Sequence, residues 1–231
     1  MFKHHGTPIT PLEELYALRG ECFCVSYSDP RNVEICHQIG QAVMLDNGAY
    51  SAWTLGRTVD WDAFVAWARP WLDYSTTWAV MPDVIAGSQG DNKELQTWLA
   101  ETYPDVWRRS APVWHMHEDI TYLAQLCHQH ERVCIGSSGP YADPTSKAWH
   151  DRMDLAMTSV CRNGLPPAKL HMLRAMAQVS GGPWPIYSAD STNVARNHHR
   201  SGDARRLAKR LDAVQPAGPW RPTGWQLDLF G

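Results

Sequence analysis

The stretch Ala42-Val-Met-Leu-Asp-Asn-Gly-Ala-Tyr-Ser-Ala-Trp53 runs from four apolar residues into Asp46, then into a short turn built on Asn47 and Gly48. An apolar run of that length, ended by turn residues, is the pattern of a buried strand feeding a loop. The segment Pro185-Ile-Tyr-Ser-Ala-Asp-Ser-Thr-Asn-Val-Ala-Arg-Asn197 repeats the pattern, with Asp190 followed by small polar residues. A carboxylate where a buried strand meets such a loop is placed at the rim of an α/β fold, where those folds keep their chemistry. Two such carboxylates facing one cavity can divide the roles of nucleophile and proton-transfer group.

Working outward, the same kind of run recurs along the chain. Strands are predicted near 1–6, 22–28 (Cys22-Phe-Cys-Val-Ser-Tyr-Ser28), 42–46, 78–83 (Trp78-Ala-Val-Met-Pro-Asp83), 111–116, 132–137 (Arg132-Val-Cys-Ile-Gly-Ser137), 168–173 and 184–189. Helical patterns lie between them at 60–71, 90–102, 118–130 and 144–162. Strand–helix alternation implies a mostly parallel sheet. Eight candidate strands favour a closed, compact (β/α)8 TIM-like barrel, somewhat shorter than the usual length of about 250 residues. The barrel is expected to span residues 1–214 and to end in a basic amphipathic helix over 201–214, with Ser201 or Asp203 as its N-cap. Residues 215–231, rich in Pro, Gly and Trp, read as an irregular tail able to dock back on the barrel.

Composition narrows the function classes. With 44% hydrophobic and 19% charged residues the chain is an ordinary globular sequence. A net charge of −3 gives no global attraction to polyanions, so such a partner must meet a local basic patch. Six cysteines show neither a CxxC pair nor framework spacing, and Cys22, Cys24 and Cys134 sit in strand-like runs, so buried free thiols are expected. Five tryptophans, Trp61, Trp67, Trp71, Trp98 and Trp107, lie in or near predicted helices and suit helix–sheet packing. With no signal-like start at Met1-Phe-Lys-His-His and no long apolar span, a reducing cytoplasm is the expected compartment and no membrane partner is expected.

On a barrel, the chemically interesting residues collect at the C-terminal ends of strands: Asp46, Asp83, His115 with His117, Gly136-Ser-Ser-Gly139 and Asp190. Any one of these can simply end a strand or cap a helix; their coincidence on one face raises the functional reading. The ordered set also resembles a known family. Leu45-Asp-Asn-Gly-Ala-Tyr50 is similar to the Asp-Ser-Gly-Gly-Phe segment of tRNA-guanine transglycosylases and their DNA-directed relatives, the phage DpdA-type 7-deazaguanine transglycosylases. Pro112-Val-Trp-His-Met116 resembles that family's Pro-Val-Leu-Gln-Gly, Cys134-Ile-Gly-Ser137 its Gly-Ile-Gly-Ser turn, and Leu170-His-Met-Leu173 its Leu-His-Gly-Phe. Ser188-Ala-Asp-Ser-Thr192 is similar to the DNA branch's Ser-Ala-Asp-Ser-Met, and Phe23-Cys-Val-Ser-Tyr27 to its Leu-Phe-Val-Ser. The likeness keeps the same order from residue 1 to about residue 200.

The resemblance implies roles. Asp190 matches an aspartate that attacks C1′ of a guanosine nucleotide and forms a covalent intermediate, by the logic of a retaining glycosidase. Asp46 matches the general acid/base that handles the proton of the exchanged base. Asp83 matches the aspartate that accepts hydrogen bonds from the donor edge of a guanine-like base, which suits an acceptor-only carboxylate. Asn47 and Gly48 belong to the same base-binding segment, and the backbone after Gly136 is expected to contact the base. Tyr50 stands for the family's phenylalanine and is expected to stack on the base. His115 replaces a glutamine that reads the base's O6 or 7-substituent, with His117 as the alternative counterpart. The family implies an exchange of guanine for a 7-deazaguanine, most simply the 7-cyano form, in phage or prophage DNA, with no cofactor or catalytic ion.

A second departure is the missing CxCxxC…H zinc site of the tRNA enzymes: no cysteine follows Cys161. The insertion braced by that zinc helps to dock tRNA, so its absence favours DNA, with tRNA as the alternative substrate. Arg196, Arg200 and Arg205, followed by Arg206, Lys209 and Arg210, come shortly after Asp190 and are candidates for phosphate contacts. The bland reading is a solvated helix face. A base inside a duplex is out of reach, so the target nucleotide must be flipped or single-stranded. A rival from another class is a metal-dependent barrel hydrolase of the amidohydrolase kind, using His115-Met-His117 with Asp190 and His171. It is disfavoured because such enzymes carry HxH on the first strand rather than midway.

Overall fold

Nine strands form one sheet: β1 (Phe2–Gly6), β2 (Cys22–Ser26), β3 (Ala42–Asp46), β4 (Thr77–Val80), β5 (Ser110–Ala111), β6 (Val113–His115), β7 (Arg132–Gly136), β8 (Lys169–Met172) and β9 (Ser188–Ser191). The computed structural model describes residues 1–222. All pairings are parallel, in the order β5-β4-β3-β2-β1-β9-β8-β7-β6. The two end strands are consecutive in the chain, separated only by Pro112. Pro112 has no N–H to give to a ladder, but its carbonyl accepts from Cys134 N at 2.8 Å while Ala111 O accepts from Met81 N at 2.9 Å. The 110–115 stretch therefore pairs with β4 along one edge and with β7 along the other. The sheet nearly closes into a TIM-like barrel, and the fifth expected strand, 111–116, is divided in two by its proline.

Helices separate the strands: α1 (Leu12–Tyr16), α2 (Val33–Ile39), α3 (Ala49–Thr54), α4 (Trp61–Ala68), α5 (Gln89–Thr102), α6 (Pro104–Trp107), α7 (Ile120–Gln129), α8 (Lys147–Val160), α9 (Met176–Ser180), α10 (Asn193–Asn197) and α11 (Ala204–Asp212). Side chains cap the longer ones. Ser88 and Asp91 make a reciprocal box at the start of α5, and Ser146 accepts from Trp149 N before α8. Of the two caps predicted for the last helix, Asp203 serves, accepting from Arg206 N at 2.7 Å. The helix expected over 60–71 ends at Ala68 and tightens into a 3-10 turn at Arg69–Asp73, because Pro70 cannot continue the α ladder.

Alternation along the strands sorts the core into layers. Cys24, Met44, Trp78, Val80, Ala111, Val113 and Cys134 fill the barrel interior. Their neighbours Phe23, Val25, Val43, Leu45 and Ala79 face helices on one flank, and Trp114, Val133, Ile135, Leu170, Met172 and Ala189 do so on the other. Two expected strand ends move. The last strand, expected at 184–189, lies at Ser188–Ser191, because Pro183 and Pro185 offer no donors and Trp184 packs on Trp149 with ring centroids 5.3 Å apart. Asp190 is thus within its strand rather than beyond it. Asp83 lies three residues past β4, in the segment that Pro82 removes from the ladder.

The tail is irregular over 215–222. Trp220 is buried in the helix–sheet layer and donates from its backbone to Gly164 O at 2.8 Å. The rest of the predicted tail, 223–231, lies outside the described residues. No helix among the described residues is long and apolar enough to cross a membrane. Trp149 is fully buried where α8 packs on the sheet, and its indole N–H donates to Ser137 Oγ at 2.9 Å. Trp149→Ala is expected to lower unfolding free energy by about 3–5 kcal/mol, read as a lower urea midpoint with an unchanged slope.

Candidate active site

Period two decides which side chains enter the barrel. Met44 faces inward, so Asp46, two residues on, does too; Val113 brings His115 with it, and Cys134 brings Gly136. On β9, Ala189 faces the helices, which turns Ser188 and Asp190 inward. These side chains meet at the C-terminal end of the strands in a cavity of about 190 Å³. Asp46, Asn47, Tyr50, Asp83, His115, Gly136 and Asp190 all line it, together with Ser26, Ser28 and Arg174. Gly48 does not line it but forms the turn beneath. Its φ of +77° is a left-handed conformation suited to glycine, and a Cβ there would come within 3.1 Å of Ser28 N. Gly136 likewise gives way to a neighbour: an added Cβ would approach His115 Nδ1 to 3.2 Å.

Asp190 is buried and held by neutral donors. Its Oδ1 accepts from Arg174 N at 2.9 Å and lies 3.3 Å from His171 Nε2, while His171 Nδ1 lies 2.8 Å from Ser188 Oγ. Burial pushes the His171 pKa down, outweighing the opposing pull of Asp190, so the ring is neutral and donates through Nε2–H. Among the described residues no donor reaches Asp190 Oδ2. Arg174 takes a φ of +60° to present its amide, and its guanidinium lies 3.3 Å over the Tyr50 ring. Tyr50 is 43% exposed at the cavity mouth, close to Trp53.

Asp46 Oδ2 accepts from the Ser26 hydroxyl at 2.6 Å and from Gly48 N at 3.3 Å. Burial raises its pKa above the ordinary aspartate value; the Ser26 hydrogen bond opposes the rise, and the Asp190 carboxylate adds to it. Asp83 and Asn47 form a buried brace. Asn47 Nδ2 donates to Asp83 Oδ1 and to Met81 O, both at 2.6 Å, and its Oδ1 accepts from Ala49 N at 2.9 Å. With its amide so occupied, Asn47 positions Asp83. His115 Nε2 lies 2.9 Å from Asp83 Oδ2 but off the line of a hydrogen bond, which leaves that buried nitrogen without an aligned partner. The His115 backbone is fixed instead, its N–H donating to Glu118 Oε2 at 2.9 Å while Glu118 Oε1 accepts from Asn92 Nδ2 at 2.9 Å.

His117 turns away from the cavity: Nδ1 lies 2.7 Å from Ser138 Oγ and Nε2 3.0 Å from Gly87 O. The metal-hydrolase reading loses its ligands with it. Among the described residues, no three of the cavity's carboxylates and histidines bring ligand atoms within 4.8 Å of one another. Arg196, Arg200 and Arg205 are exposed on α10, the following turn and α11, outside the cavity lining; none is in a salt bridge among the described residues. Ser26, His171 and Arg174 are the site residues that motif reading undervalued. The inward parity of β2 signals Ser26; nothing local in Leu173-Arg174-Ala175 announces a left-handed residue.

A larger cavity, about 360 Å³, lies at the opposite end of the strands, lined by Trp78, Arg109, Arg132 and Lys169 among others. It contains none of the predicted site residues, and it occupies the barrel end that serves stability rather than chemistry. The chain matches no family model, no curated protein and no solved structure.

Folding raises the Asp46 pKa, so ionising this group opposes folding. Its contribution favours the fold below the unfolded-state value near 3.8 and is lost as pH rises through the higher folded value. Asp46→Asn, which cannot ionise, is expected to melt at a higher temperature than wild type at pH 7, with the gap closing toward pH 4. A lower melting temperature at pH 7 contradicts this assignment.

Proposed function

We propose that the chain exchanges guanine for a 7-deazaguanine base, in the first place the 7-cyano form, in DNA, through a covalent aspartyl–nucleotide intermediate. The observation that carries this reading is the meeting of Asp46 and Asp190 on one cavity, with one Asp190 oxygen held and the other open. The motif order that resembles the transglycosylases supports the same chemistry.

In the proposed first step the open Asp190 oxygen attacks C1′ as the bond from C1′ to guanine N9 breaks. The bonding pair leaves with guanine, which takes a proton from Asp46; burial of that carboxyl favours the protonated form the step needs. In the second step the incoming base gives its N9 proton to the Asp46 carboxylate, attacks C1′ and expels Asp190. Both carboxylates finish as they began. Neutral partners on Asp190 orient it without cancelling its charge.

Base recognition in this reading falls to Asp83, braced by Asn47, which accepts from the donor edge of a guanine-like ring. The unaligned Nε2 of His115 supplies a donor for O6 or a 7-substituent, and Tyr50 with Arg174 covers the mouth. A cavity of about 190 Å³ suits a single extruded base and not a stacked pair. Arg196, Arg200 and Arg205 are assigned to the flanking phosphates, as sequence-independent contacts.

The test incubates the protein with DNA and radiolabelled guanine or 7-cyano-7-deazaguanine, and runs the reaction on a denaturing gel for a protein–DNA adduct. Wild type is expected to incorporate label and form the adduct; Asp190→Ala is expected to lose at least about 10³-fold of the incorporation. Equal labelling by both removes Asp190 as nucleophile. Transfer RNA in a parallel arm tests the alternative substrate: labelling of tRNA alone overturns the DNA assignment.

A further inference from the structure

Strand β1 carries two adjacent histidines that face opposite ways. His4 enters the barrel, edge-on to Trp78 and His171. His5, of the other parity, faces outward toward α11. It is fully buried, and neither ring nitrogen has a hydrogen-bond partner. A buried imidazole left in that state is unfavourable unless something else satisfies it.

Two carboxylates converge on this ring. Glu21 precedes β2 and Asp212 ends α11, and one ligand atom from each of His5, Glu21 and Asp212 lies within 4.8 Å of the other two. Among the described residues this is the one such trio. Asp212 stands at the negative end of its helix dipole, where an acidic residue is disfavoured. The nearby Lys3 ammonium is already committed to the carbonyls of Leu211 and Val214. Two carboxyl groups are thus gathered around an unsatisfied imidazole, an arrangement that a cation between them would satisfy.

The spacing agrees. His5 Nε2 and Asp212 Oδ2 are 3.5 Å apart without forming a hydrogen bond. Two ligand atoms each about 2.1 Å from a tetrahedral ion stand about 3.4 Å apart. We propose that His5, Glu21 and Asp212 form a site for a divalent transition cation of the zinc class, which fastens α11 to the barrel. One imidazole and two carboxylates suit such an ion better than calcium or magnesium, which take all-oxygen shells. The site is separate from the cavity and independent of the base-exchange reading; its ion clamps the helix that carries Arg205, Arg206, Lys209 and Arg210.

The test uses the full chain, stripped with a chelator and titrated with Zn²⁺ or Co²⁺. Wild type is expected to take up one ion per chain, to give the visible bands of a tetrahedral Co²⁺ complex, and to melt roughly 5–10 °C higher at a hundredfold excess over Kd. His5→Gln and Asp212→Asn are each expected to weaken binding at least about 100-fold and to abolish the shift. Absence of stoichiometric uptake by wild type overturns the site, as does equal uptake by the variants, which puts the ion elsewhere. Should either variant fail to fold, Glu21→Gln replaces it, and the wild-type titration alone still decides against the site if no ion binds.

Discussion

Near-closure of the parallel sheet at residues 110–115 is the constraint from which the site follows. Ala111 and Pro112 serve two ladders at once, one to β4 through Met81 and one to β7 through Cys134. Once the sheet curls through this point, inward-facing residues at the C-terminal ends of the strands have one shared space to enter. Asp46 on β3 and Asp190 on β9 are separated in the sheet by β2 and β1, yet they line the same cavity. An open sheet of the same strand order would hold them apart on one surface. Convergence is a property of the nearly closed topology, and the aspartates reach the shared space through nothing more than their parity.

Much of this was legible in the residues. Apolar runs ending in turn residues located the strands, and their number implied closure. Asp46, Asp83, His115, Gly136 and Asp190 were placed together because strand ends share a rim. The remainder depended on interactions that no local pattern records. Pro185 falls in the strand expected at 184–189, but its missing donor helps to move β9 to Ser188–Ser191. Asn47 lines the cavity, and its amide also binds Met81 and Asp83, which are tertiary partners. Arg196, Arg200 and Arg205 follow Asp190 closely in the chain, but the helical turns after β9 carry them to the flank. The single-residue left-handed kink at Arg174 is set by the Asp190 carboxylate it serves, so it becomes readable only once both are seen together.

The two faces of β1 illustrate how one strand can serve two purposes. Inward, His4 is packed against aromatic neighbours, and burial drives its pKa well down, so it behaves as a neutral filler of the interior. Outward, His5 meets carboxylates rather than rings. The difference is one residue of register, and a slip of one place would exchange the two environments. Pairing of β1 on both sides, to β2 and β9, fixes that register.

Charge is distributed along the barrel axis in a way that bears on reactivity. Arginine stands at the N-terminal end of the strands: Arg132 lies 4.4 Å over the Trp78 ring, and Arg109 donates to the carbonyls of Tyr74 and Thr77. The carboxylates of the active-site cavity, Asp46, Asp83 and Asp190, stand at the other end. Asp190 is therefore not neutralised by a guanidinium; it is held by a neutral histidine and a backbone amide. Arg174, the arginine that lines the cavity, gives Asp190 only its amide, and its charge sits over Tyr50. A carboxylate bidentate to arginine has its lone pairs occupied and its negative charge compensated, which makes it a poor nucleophile. One restrained by neutral donors at a single oxygen keeps both charge and an open lone pair. In the proposed exchange, that open oxygen is the one assigned to attack C1′.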